Sequence, residues 1–166
     1  RRYKKGNTLF RDDIRKRLRL MFEAQTEWIS PESFPDLKDH KYIAIDLETR
    51  DPGLKSKGSG ALVNEGEIIG IAVAVEGWSG YYSFGHKEGN FFDESAVMNW
   101  IKDVCALPCV KLFHNAMYDV CWLRAYGVQI NGHIVDTMVM ASLVDENRLW
   151  YSLNSLSIDY LGQIKD

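Results

Sequence analysis

Three cysteines, four prolines and no long apolar run mark this 166-residue chain by what it has little of. A helix that spans a bilayer needs about 20 consecutive apolar residues, and no stretch approaches that length. No charged-then-apolar leader opens the chain either, so membrane and secretory classes drop out and a cytoplasmic protein is expected. Cys105, Cys109 and Cys121 are odd in number and match no paired zinc-ligand spacing, which predicts buried thiols in a reducing compartment. Scarce proline, a mean hydropathy of -0.25 and eight Tyr, seven Phe and five Trp predict one folded domain with its own core rather than a disordered chain. An initiator Met is also lacking before Arg1-Arg2, and no clear stop signal marks Gln163 to Asp166, so a piece of something longer is expected.

Charge is unevenly spread. Residues 1–20 hold nine Lys or Arg and two Asp, and the remainder holds eleven basic and twenty-one acidic residues. An acidic body does not exclude nucleic acid as a partner, because bound divalent cations reverse the local charge of a carboxylate site. The first segment, with Ile14, Leu18, Met21 and Phe22 at helical spacing, predicts an amphipathic helix over 11–27 whose basic face is either solvated or laid along phosphates. Ser30-Pro31-Glu32-Ser33-Phe34-Pro35 reads as a turn-rich linker, since each proline disfavours helix just before it. The boundary follows: a basic helix and linker over 1–38, and the domain proper over 39–166.

Tyr42 to Leu47 is a short apolar run of the kind found in central strands. A loop over 51–64 then leads to strands over 67–75 and 79–84, joined by a turn at Glu76-Gly77-Trp78. Helices are expected over 94–105, 116–126, 137–144 and 152–161, with strands over 109–113 and at Ile134-Val135 between them. Strands first in a hairpin and then alternating with helices imply an α/β fold with a mixed central sheet flanked by helices.

Asp46 and Glu48 are two apart at the end of the first strand, and the two-residue period of a strand puts both carboxylates on one face. Two anions at one spot call for a cation, and hard oxygen donors suit Mg2+ or Mn2+. A strand end that merely reaches solvent also carries acidic pairs, so the pair alone decides nothing. Asp119 adds weight because it falls in the first turns of a helix that directly follows a buried strand. Asn115 lies four residues earlier, either with its amide on the same helical face or as the helix N-cap, and the two uses are compatible.

In order, Asp46-Leu47-Glu48-Thr49, His114-Asn115-Ala116-Met117-Tyr118-Asp119, Asp136-Thr137-Met138 and Ser152-Leu153-Asn154-Ser155-Leu156 with Tyr160-Leu161-Gly162 resemble the proofreading exonuclease domain of family A DNA polymerases. The likeness covers about residues 28–166 and is nearest to bacteriophage-type members of the DEDD exonuclease superfamily. It implies a ribonuclease H-like exonuclease fold and hydrolysis of the 3′-terminal phosphodiester with release of nucleoside monophosphates. It further implies Asp46, Glu48 and Asp119 as catalytic and metal-binding residues, two Mg2+ or Mn2+ ions in the complete domain, and Leu47, Thr49, Asn115 and Tyr118 as substrate contacts. The implied partners are the single-stranded 3′ end of DNA and a polymerase domain in the same parent chain. The host cytoplasm is the expected location if a phage encodes it. Asp136 is read as a helix cap and His114 as a packed neighbour.

Members of that family carry a fourth carboxylate, an Asp four residues after a Tyr or five after a His. No such pair is present: Tyr151 leads to Ser155, Tyr160 to Ile164, and Tyr42 and His114 lead only to Asp46 and Asp119. The motif is expected beyond Asp166, and residues 1–166 alone are expected to bind metal weakly and to degrade single strands poorly. A ribonuclease D-like RNA exonuclease and a catalytically silent scaffold domain of a polymerase are the alternative readings.

Overall fold

A computed structural model describes residues 11–17 and 30–162. Five strands form one mixed sheet: β1 (Tyr42–Arg50), β2 (Glu67–Val75), β3 (Trp78–Ser83), β4 (Val110–Phe113) and β5 (Ile134–Asp136), in spatial order β3-β2-β1-β4-β5. β1 to β3 form an antiparallel meander, and β4 and β5 run parallel to β1. Besides a helical stretch at 11–17, the helices are α1 (Leu54–Lys57), α2 (Gly60–Val63), α3 (Glu94–Ala106), α4 (Ala116–Ala125), α5 (Thr137–Val144) and α6 (Leu153–Leu161). The expected mixed sheet with flanking helices is therefore present. No helix among the described residues is long and apolar enough to cross a membrane.

β1 lies at the centre of the sheet because Ile43, Ala44 and Ile45 are buried in succession, the signature of a strand covered on both faces. The β2–β3 hairpin closes through a two-residue turn: Val75 pairs with Trp78, and Gly77 takes a φ of 83° that only glycine adopts without strain. Trp78 thus belongs to β3 rather than to the turn. In α3, Val97, Met98, Ile101, Val104 and Cys105 face the main core, and Asp93 caps the start by accepting from Ala96 N–H at 3.0 Å. Lys111, fully buried in β4, keeps its charge satisfied through three carbonyls, those of Leu107, Cys109 and Asn131, at 2.6 to 3.2 Å.

Three features differ from the sequence expectation. The 51–64 loop contains α1 and α2, four residues each, which are too short to leave a periodic apolar signal. The turn-rich 30–35 stretch packs on the body: Phe34 stacks on Tyr82 at 5.2 Å, Tyr82 donates to Ser33 C=O, and Trp100 Nε1 donates to Pro35 C=O. Of the three cysteines, all of them free thiols, only Cys105 is fully buried. The expected N-terminal helix is present over 11–17, where Ile14 is buried with Ala141, Val144 and Leu156 in a second, smaller cluster. Its 18–27 portion lies outside the described residues.

Candidate active site

β1 and β4 are parallel, so the carboxyl end of β1 and the chain leaving β4 emerge at the same end of the sheet. In open α/β sheets this is the end where ligands bind. Asp46 and Glu48 share one face of β1, opposite Ala72 and Gly70 of β2. Leu47 points the other way into the main core. The register then shifts between Glu48 and Thr49, leaving Ile69 as an extra residue in β2. Asp46 is half-buried and Glu48 exposed.

α4 delivers Asp119 in its first turn. Only 3% exposed, Asp119 accepts the backbone N–H of Leu47 on Oδ1 at 3.1 Å, between the two strand carboxylates in sequence. Burial first, and then the negative charge of Asp46, push the Asp119 carboxyl up to about 7, against the pull of the Leu47 N–H. One residue earlier, Tyr118 Oη lies 2.6 Å from Thr49 Oγ1 and donates to Asp51 Oδ2 at 3.2 Å. The same Asp51 oxygen accepts from Gly60 N–H at 2.9 Å, which ties α2 to the site. The structure thus brings Asp46, Leu47 and Asp119 together, and separately Thr49 and Tyr118, with Glu48 on the same strand face.

Asn115 occupies the N-cap position of α4 in the left-handed conformation, φ 64°, with no side-chain capping bond. Asp136 does the capping instead. Its carboxylate accepts from Asn115 N–H at 3.1 Å and Ala116 N–H at 2.8 Å, and it also caps α5 through Met138 N–H at 2.8 Å. The expected cap at Asp136 is present and serves two helices. The Asn115 amide is left with no capping duty, one turn before Asp119. His114 packs as expected, its Nδ1 2.9 Å from Thr137 Oγ1.

Sequence reasoning passed over Asp51 and the pair Tyr81–His86. Asp51 looked like the first residue of a loop. Tyr81 looked like an ordinary strand aromatic, although its hydroxyl is 2.6 Å from His86 Nε2 and its ring lies over Gly70, beside Glu48.

The donor chemistry fits a divalent cation. Asp46, Glu48 and Asp119 offer only hard oxygens, and the mutual repulsion of Asp46 and Asp119 is the kind a bound cation relieves. Among the described residues, no three His, Cys, Asp or Glu side chains are gathered closely enough to enclose an ion by themselves.

Residues 23–166 match the family model of the 3′–5′ exonuclease found in family A DNA polymerases. The chain belongs to the 3′–5′ exonuclease family. Among phage relatives, the chain is 30% identical over 136 residues to the DNA polymerase DpoZ of Acinetobacter phage SH-Ab 15497, covering 81% of this chain and 19% of that one. It is 27% identical over 145 residues to a DNA-directed DNA polymerase of Pseudomonas phage M6, covering 83% and 22% respectively. The chain therefore spans about a fifth of the length of the curated relatives it matches. In fold, the chain superposes on Brucella melitensis NrnC, solved with bound Mg2+, with a TM-score of 0.58 at 14% identity, over 79% of this chain and 58% of that one. The ribonuclease H-like exonuclease fold expected from the sequence is thereby established.

Proposed function

We propose that this exonuclease domain proofreads for a DNA polymerase in the same parent chain, removing nucleotides from the single-stranded 3′ end of DNA. The observation that carries the reading is the Asp119–Leu47 hydrogen bond, which draws the helix carboxylate onto the strand that bears Asp46 and Glu48. In this proposal Asp46, Glu48 and Asp119 hold Mg2+ or Mn2+, two ions in the complete domain. Ions held by these carboxylates would supply the Lewis acidity that activates water and stabilises a departing 3′ oxygen. Asp119 is kept in place by a main-chain donor, and its burial excludes competing water from that side of the site. Tyr118, braced by Thr49 and Asp51, and Asn115, relieved of capping, are set to orient the terminal nucleotide. Leu47 acts through its backbone. Residues 39–166 form the catalytic unit of this proposal, 1–38 its N-terminal approach, and the cytoplasm its location.

The test is excision from end-labelled single strands by the full-length parent polymerase in Mg2+, with DNA and RNA in parallel. Asp46→Ala is expected to abolish release of mononucleotides while polymerisation continues. An unchanged rate defeats the assignment, and faster cutting of RNA moves the substrate to the ribonuclease D class.

A further inference from the structure

Strand pairing sets Glu48 opposite Gly70. Cross-strand partners on one face stand about 5 Å apart at Cβ, so a side chain at residue 70 would be the nearest sheet neighbour of Glu48. Gly70 supplies none. Tyr81, paired with Ala72 two residues along β2, lies across the vacant position: a methyl at Gly70 would stand 2.1 Å from Tyr81 Oη and 2.5 Å from Cζ. The phenol hydroxyl therefore occupies the place where the cross-strand partner of Glu48 would be.

That hydroxyl is fixed from behind. His86 Nε2 lies 2.6 Å from Tyr81 Oη, with the two rings edge-on at 75°. The turn carrying His86 is closed by reciprocal bonds, His86 N–H to Asn90 Oδ1 at 2.8 Å and Asn90 Nδ2 to His86 C=O at 2.7 Å. Phe84 N–H and Gly85 N–H both donate to the carbonyl of Ile69, the extra residue of the β2 bulge. The bulge thus anchors the turn that holds the imidazole. Burial, then the charges of Glu48 and Asp46, push the Tyr81 phenol up to about 12. The Tyr81 hydroxyl, bonded to the imidazole, lies on the strand face that carries Glu48 and Asp46.

We propose that Tyr81 is a positioning residue for Glu48: its hydroxyl, oriented by His86, holds the exposed carboxylate in place for a divalent cation and the 3′-terminal phosphodiester. The inference rests on the exonuclease reading of the Asp46–Glu48–Asp119 site. It gives Glu48 a side-chain counterpart to the main-chain donor that Leu47 provides for Asp119. It also explains why a glycine, which weakens a strand interior, stands in the middle of β2.

The test uses the full-length parent polymerase with Tyr81→Phe, His86→Ala, Gly70→Ala and Asp46→Ala. Mn2+ affinity is read by titration calorimetry without DNA, excision is read in single turnover on a single-stranded DNA end, and thermal midpoints are matched. Losing a partner that orients a metal ligand costs about 10–100-fold in affinity or activity. Tyr81→Phe is expected to weaken Mn2+ binding and slow excision within that range, with KM for the DNA unchanged. Gly70→Ala is expected to do the same by evicting the hydroxyl, and His86→Ala to act in the same direction more weakly. If Tyr81→Phe keeps wild-type Mn2+ affinity and excision rate while Asp46→Ala loses both, Tyr81 is only a packing residue and the inference is overturned. If Asp46→Ala also keeps both, the exonuclease reading itself falls, and the inference with it.

Discussion

On the α4 side of the site, the hydrogen bonds that hold the ligands and the helix start run to main-chain N–H groups; on the β2–β3 side, support comes from side chains. Asp119 accepts from Leu47 N–H, and the start of α4 is held by Asp136 through two backbone donors. Glu48, exposed on the strand, has Gly70 opposite and the Tyr81–His86 pair beside it. Main-chain donors persist whatever residue occupies the position. Side-chain support disappears with a single substitution, which on the helix side exposes the Asp136 cap but not the Leu47 N–H that holds Asp119. The helix side should therefore tolerate sequence change around Asp119 better than the strand side tolerates change around Glu48.

The largest expected effect breaks the pinned side at its centre. Asp119→Ala removes the buried carboxylate, and the loss of several kcal/mol of charge stabilisation corresponds to on the order of 10³-fold or more in excision rate. A rate within tenfold of wild type, read on a labelled single strand, would show that the helix carboxylate is dispensable.

Next in size is a pH effect on stability. Folding raises Asp119 to about 7, from about 3.9 in an unfolded chain. Its protonated form is thus favoured in the fold. The associated stability is fully present below about pH 4 and is lost as pH rises through 7. In a metal chelator, stability is expected to fall between pH 5 and pH 8, with Asp119 contributing up to about 3 kcal/mol of the fall. Asp119→Asn should flatten this part of the urea-unfolding profile; an equally steep fall in the variant would place its origin elsewhere.

Asp136→Ala removes the cap of two helices at once. At about 1 kcal/mol per cap, a loss of about 2 kcal/mol is expected in denaturant unfolding, twice that of an ordinary cap. The smallest effect sharpens the comparison. Tyr118→Phe deletes the hydroxyl that bridges Thr49 and Asp51, and about a tenfold rise in KM for DNA with little change in kcat is expected if the bridge only places the nucleotide.

What the sequence made legible follows the same division. Asp46 and Glu48 were readable because a strand repeats every two residues, and Asp119 because a buried strand leads directly into its helix. Tyr81 was not readable: its relation to Glu48 depends on the register of three strands and on Gly70 leaving a place empty. Asn115 was legible as an N-cap but not as one whose capping is done by Asp136, twenty-one residues later in the chain. Phe34 looked like linker because local proline signals say nothing of the distant Tyr82 and Trp100 rings it meets.

The double cap at Asp136 has a mechanical consequence. One carboxylate grips the first turns of α4 and α5 together, so the two helices cannot pivot independently at this point. The same carboxylate thus joins α5, on which Val139 and Leu143 are exposed, to the helix that carries Asp119.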